Sequence, residues 1–115
     1  MDDRFLQQLK KGVLEMLVLR LICRAPAYGY GLLQSLKEES AGQFSLKEGT
    51  LYPILYRLED EGLIEAKWQQ ASGRSAPKKM YEATQSGYAE NIRRQQIWQD
   101  FVRTVDKFYR EEEQK

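Results

Sequence analysis

Apolar residues return every three or four positions from the start of the chain. Leu6, Leu9, Val13, Leu17 and Leu21 form a stripe, with Leu14, Val18 and Ile22 beside it. That spacing predicts a well-buried first helix ending before Pro26. A short second helix follows over Tyr28 to Leu36 with Leu32, Leu33 and Leu36 inward, and Ser40-Ala41-Gly42-Gln43 makes a turn. Leu51, Ile54, Leu55 and Leu58 mark a third helix. Ser45 and Glu48 have capping-box spacing at its entrance, and Gly62 supplies its stop. Helix, short turn and capped helix make a helix-turn-helix.

After Gly62 the period changes to two. Ile64, Ala66 and Trp68 alternate with Glu65, Lys67 and Gln69, as in a half-buried strand. Gln70 to Lys79 is polar and holds Gly73 and Pro77, which predicts a long hairpin tip before a return strand at Met80 to Ala83. Thr84 is placed to cap a last helix of roughly 29 residues and about 43 Å, longer than so small a core can cover. Along it Trp98, Phe101, Val105 and Phe108 follow helical spacing, with Tyr88 and Ile92 ahead and Val102 and Tyr109 alongside. An apolar seam on a protruding helix needs another surface, and a second copy of the chain supplies one. The dimer interface is therefore expected at Ile92, Trp98, Phe101, Val102, Val105 and Phe108, packed partly on the partner's first helix. The acidic tail Glu111-Glu112-Glu113 is expected to fray. The fold class is mainly α with a small β-hairpin: a winged helix-turn-helix over residues 1–84 and one long C-terminal dimerisation helix over 85–115.

Charge changes this picture only locally. The 115 residues carry a formal net charge of +1, with 12 basic and 11 acidic residues up to position 84 and 6 of each after it. Between Ala66 and Tyr81, however, stand Lys67, Arg74, Lys78 and Lys79 and no acid. A basic hairpin directly after the second helix of a helix-turn-helix reads as a wing on the phosphate backbone. The outer face of the third helix presents Thr50, Pro53, Tyr56 and Arg57, with Lys47 at its entrance and Tyr52 on its flank. Such a face suits a DNA groove and equally suits an ordinary surface helix. Pro53 removes the donor for the Gly49 carbonyl, so either the helix bends there or its regular part begins later than Ser45.

Catalysis finds little to work with. There is no histidine, and the single Cys23 sits on an apolar face as a small hydrophobe. No phosphate-cradling glycine loop, metal-ligand cluster or nucleophile–base pair stands out, so neither an enzyme nor a metal or cofactor is expected. The run Val13 to Cys23 is broken by Glu15 and Arg20 and is too short for a membrane span. The start lacks a signal-peptide pattern, which predicts a cytoplasmic protein without membrane contact.

Tyr28-Gly29-Tyr30, then Lys47-Glu48-Gly49-Thr50-Leu51-Tyr52-Pro53, Leu58-Glu59 and Glu61-Gly62-Leu63-Ile64, resemble the PadR family of winged-helix transcriptional regulators. Trp68, Lys79, Tyr81, Thr84 and Gly87 continue the match, which covers nearly the whole chain. The single short C-terminal helix resembles the small PadR subfamily, whose dimers include multidrug-binding repressors of efflux pumps. The resemblance implies a homodimer on a palindromic operator in double-stranded DNA. Tyr30, Lys47, Thr50, Tyr52, Pro53, Arg57, Arg74, Lys78 and Lys79 would then meet DNA. It also implies a planar aromatic or drug-like ligand between the subunits that stacks on Trp98 and releases the operator. Phe101, Leu9, Met16 and Arg20 are expected around that ligand. Two departures stand out: Gly31 replaces a larger, often acidic residue, and Arg20 would face the cleft where Glu15, Asp100 and Asp106 are the candidate acids. The competing reading is a winged-helix protein-interaction module without ligand sensing. Three wing cations and Lys47 from each of two subunits give eight phosphate contacts and a log–log salt slope of about −7.

Overall fold

The structure, a computed structural model, describes residues 3–70 and 76–110. The elements are α1 (Arg4–Arg24), β1 (Ala27–Tyr28), α2 (Gly29–Glu39), α3 (Glu48–Asp60), β2 (Ile64–Gln69), β3 (Lys78–Ala83) and α4 (Gln85–Arg110). The strands form one antiparallel sheet in the order β1-β3-β2. This is the expected class: a winged helix-turn-helix followed by a long last helix.

The core differs from the expected stripe on α1. Leu14, Val18, Leu19 and Ile22 are buried, Val13, Leu17 and Leu21 are half-buried, and Leu6 and Leu9 are exposed. The first helix is apolar around more than one face, and the chain's own core covers the face one residue on from the stripe. Leu32 and Leu36 of α2, Leu51, Ile54, Leu55 and Leu58 of α3, and Leu63, Ile64 and Tyr81 complete the core. Leu33, expected inward, packs only partly against it.

Helix ends carry the clearest local logic. The Asp3 side chain accepts from the Leu6 N–H at 3.2 Å and caps α1. Helix α2 closes with the Gly42 N–H on the Lys37 carbonyl (2.8 Å), and Ala41 at φ 53° occupies the left-handed position. Helix α3 closes in the same way: Leu63 N–H bonds the Leu58 carbonyl, Gly62 N–H bonds the Glu59 carbonyl, and Gly62 sits at φ 74°. Thr84 Oγ1 accepts from the Gly87 N–H (3.0 Å) and donates to the Gly62 carbonyl (2.7 Å), so one hydroxyl caps α4 and ties it to the end of α3. At Gly87 a Cβ would lie 2.0 Å from the Leu63 carbonyl oxygen, so only glycine lets α4 approach the loop so closely.

Three expectations are corrected. Ser45 does not cap α3: its hydroxyl donates to the Gly42 carbonyl, Leu46 packs on the core, and the helix begins at Glu48 with Lys47 as the cap residue. Pro53 therefore falls in the second turn, and the carbonyl it leaves without a partner belongs to exposed Gly49. Tyr28 belongs to a strand rather than to the second helix, because Ala27 and Tyr28 pair with Tyr81 and Met80. Trp68, expected inward on alternation, is 68% exposed, since β2 runs past the edge of the core after Ala66.

Helix α4 lies antiparallel along α1. Cys23 Sγ approaches the Gly87 carbonyl at 3.7 Å, and Gly12 to Met16 share a cleft with Arg94 to Phe101 further along. The 26 residues of α4 extend about 39 Å, and within it only Gly87 and Asn91 are buried. The radius of gyration is 17.1 Å, against about 13 Å for a compact chain of this length.

Candidate nucleic-acid interface

Helix α3 turns Lys47, Gly49, Thr50, Pro53, Tyr56 and Arg57 outward. Tyr52 turns back instead. It is half-buried, and its hydroxyl fills the space beside Gly29, where a Cβ would stand 2.6 Å away. Tyr52 thus packs between α3 and the start of α2 and also lines the cleft between those helices and the wing. Arg57 is also engaged: its Nε donates to Glu15 Oε1 of α1 at 3.2 Å. The outward surface without such ties narrows to Lys47, Thr50, Pro53 and Tyr56.

The wing is less cationic than its composition. Lys67 pairs with Glu82 across the β2–β3 ladder at 3.0 Å, and that carboxylate raises the lysine's pKa. Lys79 lies 3.6 Å from Glu59 of α3 and sits over the Tyr56 and Tyr81 rings at 5.8 and 5.5 Å. A half-buried lysine so held is a strut between wing and helix rather than a free phosphate contact. Lys78 behaves differently. It has no acidic partner among the described residues, and its ammonium lies 5.7 and 5.4 Å from the stacked rings of Tyr28 and Tyr30. Those two rings, 5.9 Å apart and within 5° of parallel, hold one cation at the junction of wing and helix-turn-helix. Arg74, the fourth expected cation, lies outside the described residues, as does the acidic tail at 111–113.

Between the start of α2, helix α3 and the wing runs a cleft of about 490 Å³, with Tyr30, Tyr56, Trp68 and Lys78 on its walls and Glu48 contributing a carboxylate. Among the described residues two buried polar side-chain atoms lack hydrogen-bond partners, the hydroxyl of Tyr81, which lines this cleft, and Glu59 Oε1. Lys79 is near enough to Glu59 for an ion pair but too far for a hydrogen bond. Burial first, then the Glu59 charge and the neighbouring Tyr52 and Tyr56, pushes the Tyr81 hydroxyl up to about 12.

A second cleft, of about 320 Å³, lies between α1 and α4. Met16, Trp98 and Phe101 line it together, joined by Val13 and Ile97. Leu9 is exposed and does not line this cleft. Arg20, expected to face it, lines a separate recess with Leu17, Leu21 and Phe44, because α1 turns that side toward α2. Glu15 and Arg94 supply the charge instead. Arg94 Nε donates to Glu90 at 2.7 Å, and this guanidinium holds the Glu90 carboxyl below its ordinary pKa. Along α4, Ile92, Trp98, Phe101, Val105 and Phe108 are exposed and Val102 is half-buried.

The sequence matches the Transcriptional regulator PadR-like family over residues 18–92. The chain belongs to that family. A negative transcriptional regulator PadR from Bacillus subtilis is 36% identical over 78 residues, which are 68% of this chain and 42% of that protein. A PadR family transcriptional regulator from Eggerthella lenta superposes with a TM-score of 0.81 at 35% identity, covering 90% of this chain and 88% of that one. A PadR-like regulator from Bacillus cereus gives 0.74 at 34% identity over 88% of this chain and 95% of the other.

PadR proteins are DNA-binding transcriptional regulators, not enzymes. No helix among the described residues is long and apolar enough to cross a membrane. In this PadR chain exposed Trp68, and Tyr28 beneath Lys78, join the candidate surface beside Tyr56 without having been singled out as site residues. Alternation along β2 pointed Trp68 the wrong way, and nothing in the linear pattern brings Tyr28 under Lys78, 50 residues on.

Proposed function

We propose that the chain is a homodimeric repressor that holds two copies of α3 in successive major grooves and releases its operator when a planar ligand occupies the cleft beside Trp98. The observation that carries the dimer is the uncovered apolar surface on the far half of α4. Trp98, Phe101, Val105, Phe108 and Tyr109 stand 39 to 74% exposed there, next to exposed Phe5, Leu6 and Leu9 at the start of α1. A monomer leaving so much contiguous apolar area in water is disfavoured at about 25 cal/mol per Å², and two-fold pairing covers both patches with one interface. Within each subunit Lys47, Thr50, Pro53 and Tyr56 reach the bases and sugar-phosphate, with the positive end of the α3 dipole beside them. Tyr30 and Lys78 hold the backbone at the junction with the wing. Gly12 supports the ligand reading: it lines the Trp98 cleft with open space where a side chain would stand, although glycine inside a helix costs about 1 kcal/mol.

The test combines sedimentation at micromolar concentration with a band shift on the DNA upstream of the protein's own gene. The parent chain is expected to sediment as a dimer and to shift that DNA. Phe101→Asp together with Val105→Asp is expected to give a folded monomer with DNA affinity at least tenfold weaker. A parent chain that is monomeric, or a monomeric variant that binds the operator as tightly as the parent, overturns the reading.

A further inference from the structure

Among the described residues, the charged ones that line the Trp98 cleft are Glu15 and Arg94; Glu15 is bonded to the last turn of α3 and Arg94 to the cap residue that follows it. Glu15 Oε1 accepts from Arg57 Nε at 3.2 Å, and Arg94 Nη2 donates to Glu61 Oε2 at 3.4 Å. Arg57 and Glu61 are one helical turn apart, so the cleft grips one end of the reading helix through two oppositely charged hands. The two hands are not equally free. Arg94 is also committed to Glu90 within its own helix, at 2.7 Å. Among the described residues Glu15 makes one hydrogen-bonded contact, through one oxygen, and its side chain keeps 33% of its surface open. A half-exposed pair of this kind shifts an equilibrium by about fivefold at most. It is strong enough to matter and weak enough to be displaced.

We propose that Glu15 is where ligand occupancy is transmitted to the DNA-reading helix: a planar cation stacked on Trp98 takes the Glu15 carboxylate and thereby detaches Arg57 of α3. The proposal rests on the ligand reading of the cleft and adds to it the bond that the ligand breaks. An uncharged ring can stack on Trp98 but has nothing with which to displace a guanidinium. A cation can. Because coupling between two binding events is reciprocal, whatever detaches Arg57 must in turn be bound more tightly once Arg57 is gone.

That reciprocity gives a test that needs no DNA. In a Trp68→Phe background, where Trp98 is the remaining indole, quenching is followed while the planar cation proflavine is added. Parent, Arg57→Gln, Glu15→Gln and the double variant are compared, with folding checked by circular dichroism. Arg57→Gln is expected to bind proflavine about threefold tighter, and Glu15→Gln about threefold weaker. The double variant is expected to match Glu15→Gln, since Arg57 then has nothing to compete for. Acridine, at a pH where it is uncharged, is expected to bind all four alike. Saturable quenching with Arg57→Gln no tighter than the parent overturns the coupling and leaves the cleft standing. Tightening that persists in the double variant also overturns it. Absence of saturable quenching in the parent removes the cleft reading and this one with it.

Discussion

Ala41 adopts φ 53° at the close of α2, a left-handed conformation that costs an L-residue about 1–2 kcal/mol. It is exposed, and the bond it enables, Gly42 N–H to the Lys37 carbonyl, is backbone only. Ala41→Gly is therefore expected to stabilise the fold by about 0.5–1 kcal/mol, the relief of strain outweighing the added freedom of the unfolded chain. Urea unfolding read by circular dichroism measures this. Tyr81 carries a second residue-scale consequence. Its folded-state pKa of about 12 stands above the ordinary 10.0. Above pH 10 the unfolded chain loses that proton while the folded chain keeps it, so stability is full below pH 10 and falls as pH rises toward 12. Since the hydroxyl has no hydrogen-bond partner among the described residues, Tyr81→Phe is expected to leave neutral-pH stability within about 1 kcal/mol of the parent and to flatten the alkaline decline. Unfolding midpoints across that pH range decide the matter, and an equally steep decline in the variant counts against it.

At the scale of elements, the joint between α3, β2 and α4 rests on few groups. Thr84 Oγ1 serves both the Gly87 N–H and the Gly62 carbonyl. Thr84→Val, which keeps the shape and removes the oxygen, is expected to cost about 1–2 kcal/mol, the loss of a cap together with a stranded carbonyl. Thermal unfolding reads the loss, and a change below 0.3 kcal/mol contradicts the account. Gly62 as a stop and Thr84 as a cap were legible in the sequence because their chemistry acts over three or four residues. The ion pairs were not. Glu15 and Arg57 are 42 positions apart, and Lys79 meets Glu59 from a different element, so both cations looked free in the linear pattern. The buried face of α1 was illegible for another reason. Two apolar faces compete on that helix, and only its neighbours decide between them. The two-residue β1 is too short to show a period of its own.

For the whole molecule, the proposed dimer on DNA carries fewer phosphate contacts than the sequence suggests. Lys79 is engaged by Glu59, which leaves Lys47, Lys78 and, from the sequence, Arg74 in each subunit. Six contacts give a log–log salt slope of about −5 rather than −7. Lys78→Ala is expected to reduce the slope by about 2, one phosphate per subunit, on operator and random DNA alike, whereas Thr50 substitutions should change which sequence is preferred. Fluorescence anisotropy over a range of salt concentrations measures both. A Lys78→Ala slope equal to the parent's would remove Lys78 from the backbone contacts. The close approach of Gly87 to the Leu63 carbonyl has a consequence for the assembly as well. It acts as a fulcrum near one end of a rod, and beyond it the remaining 23 residues of α4 form an arm of about 34 Å. A rocking of about 5° at that point sweeps the far tip by about 3 Å. If the tips are clamped together, the same rocking moves the heads, so a few degrees of play suffice to mis-set them for DNA.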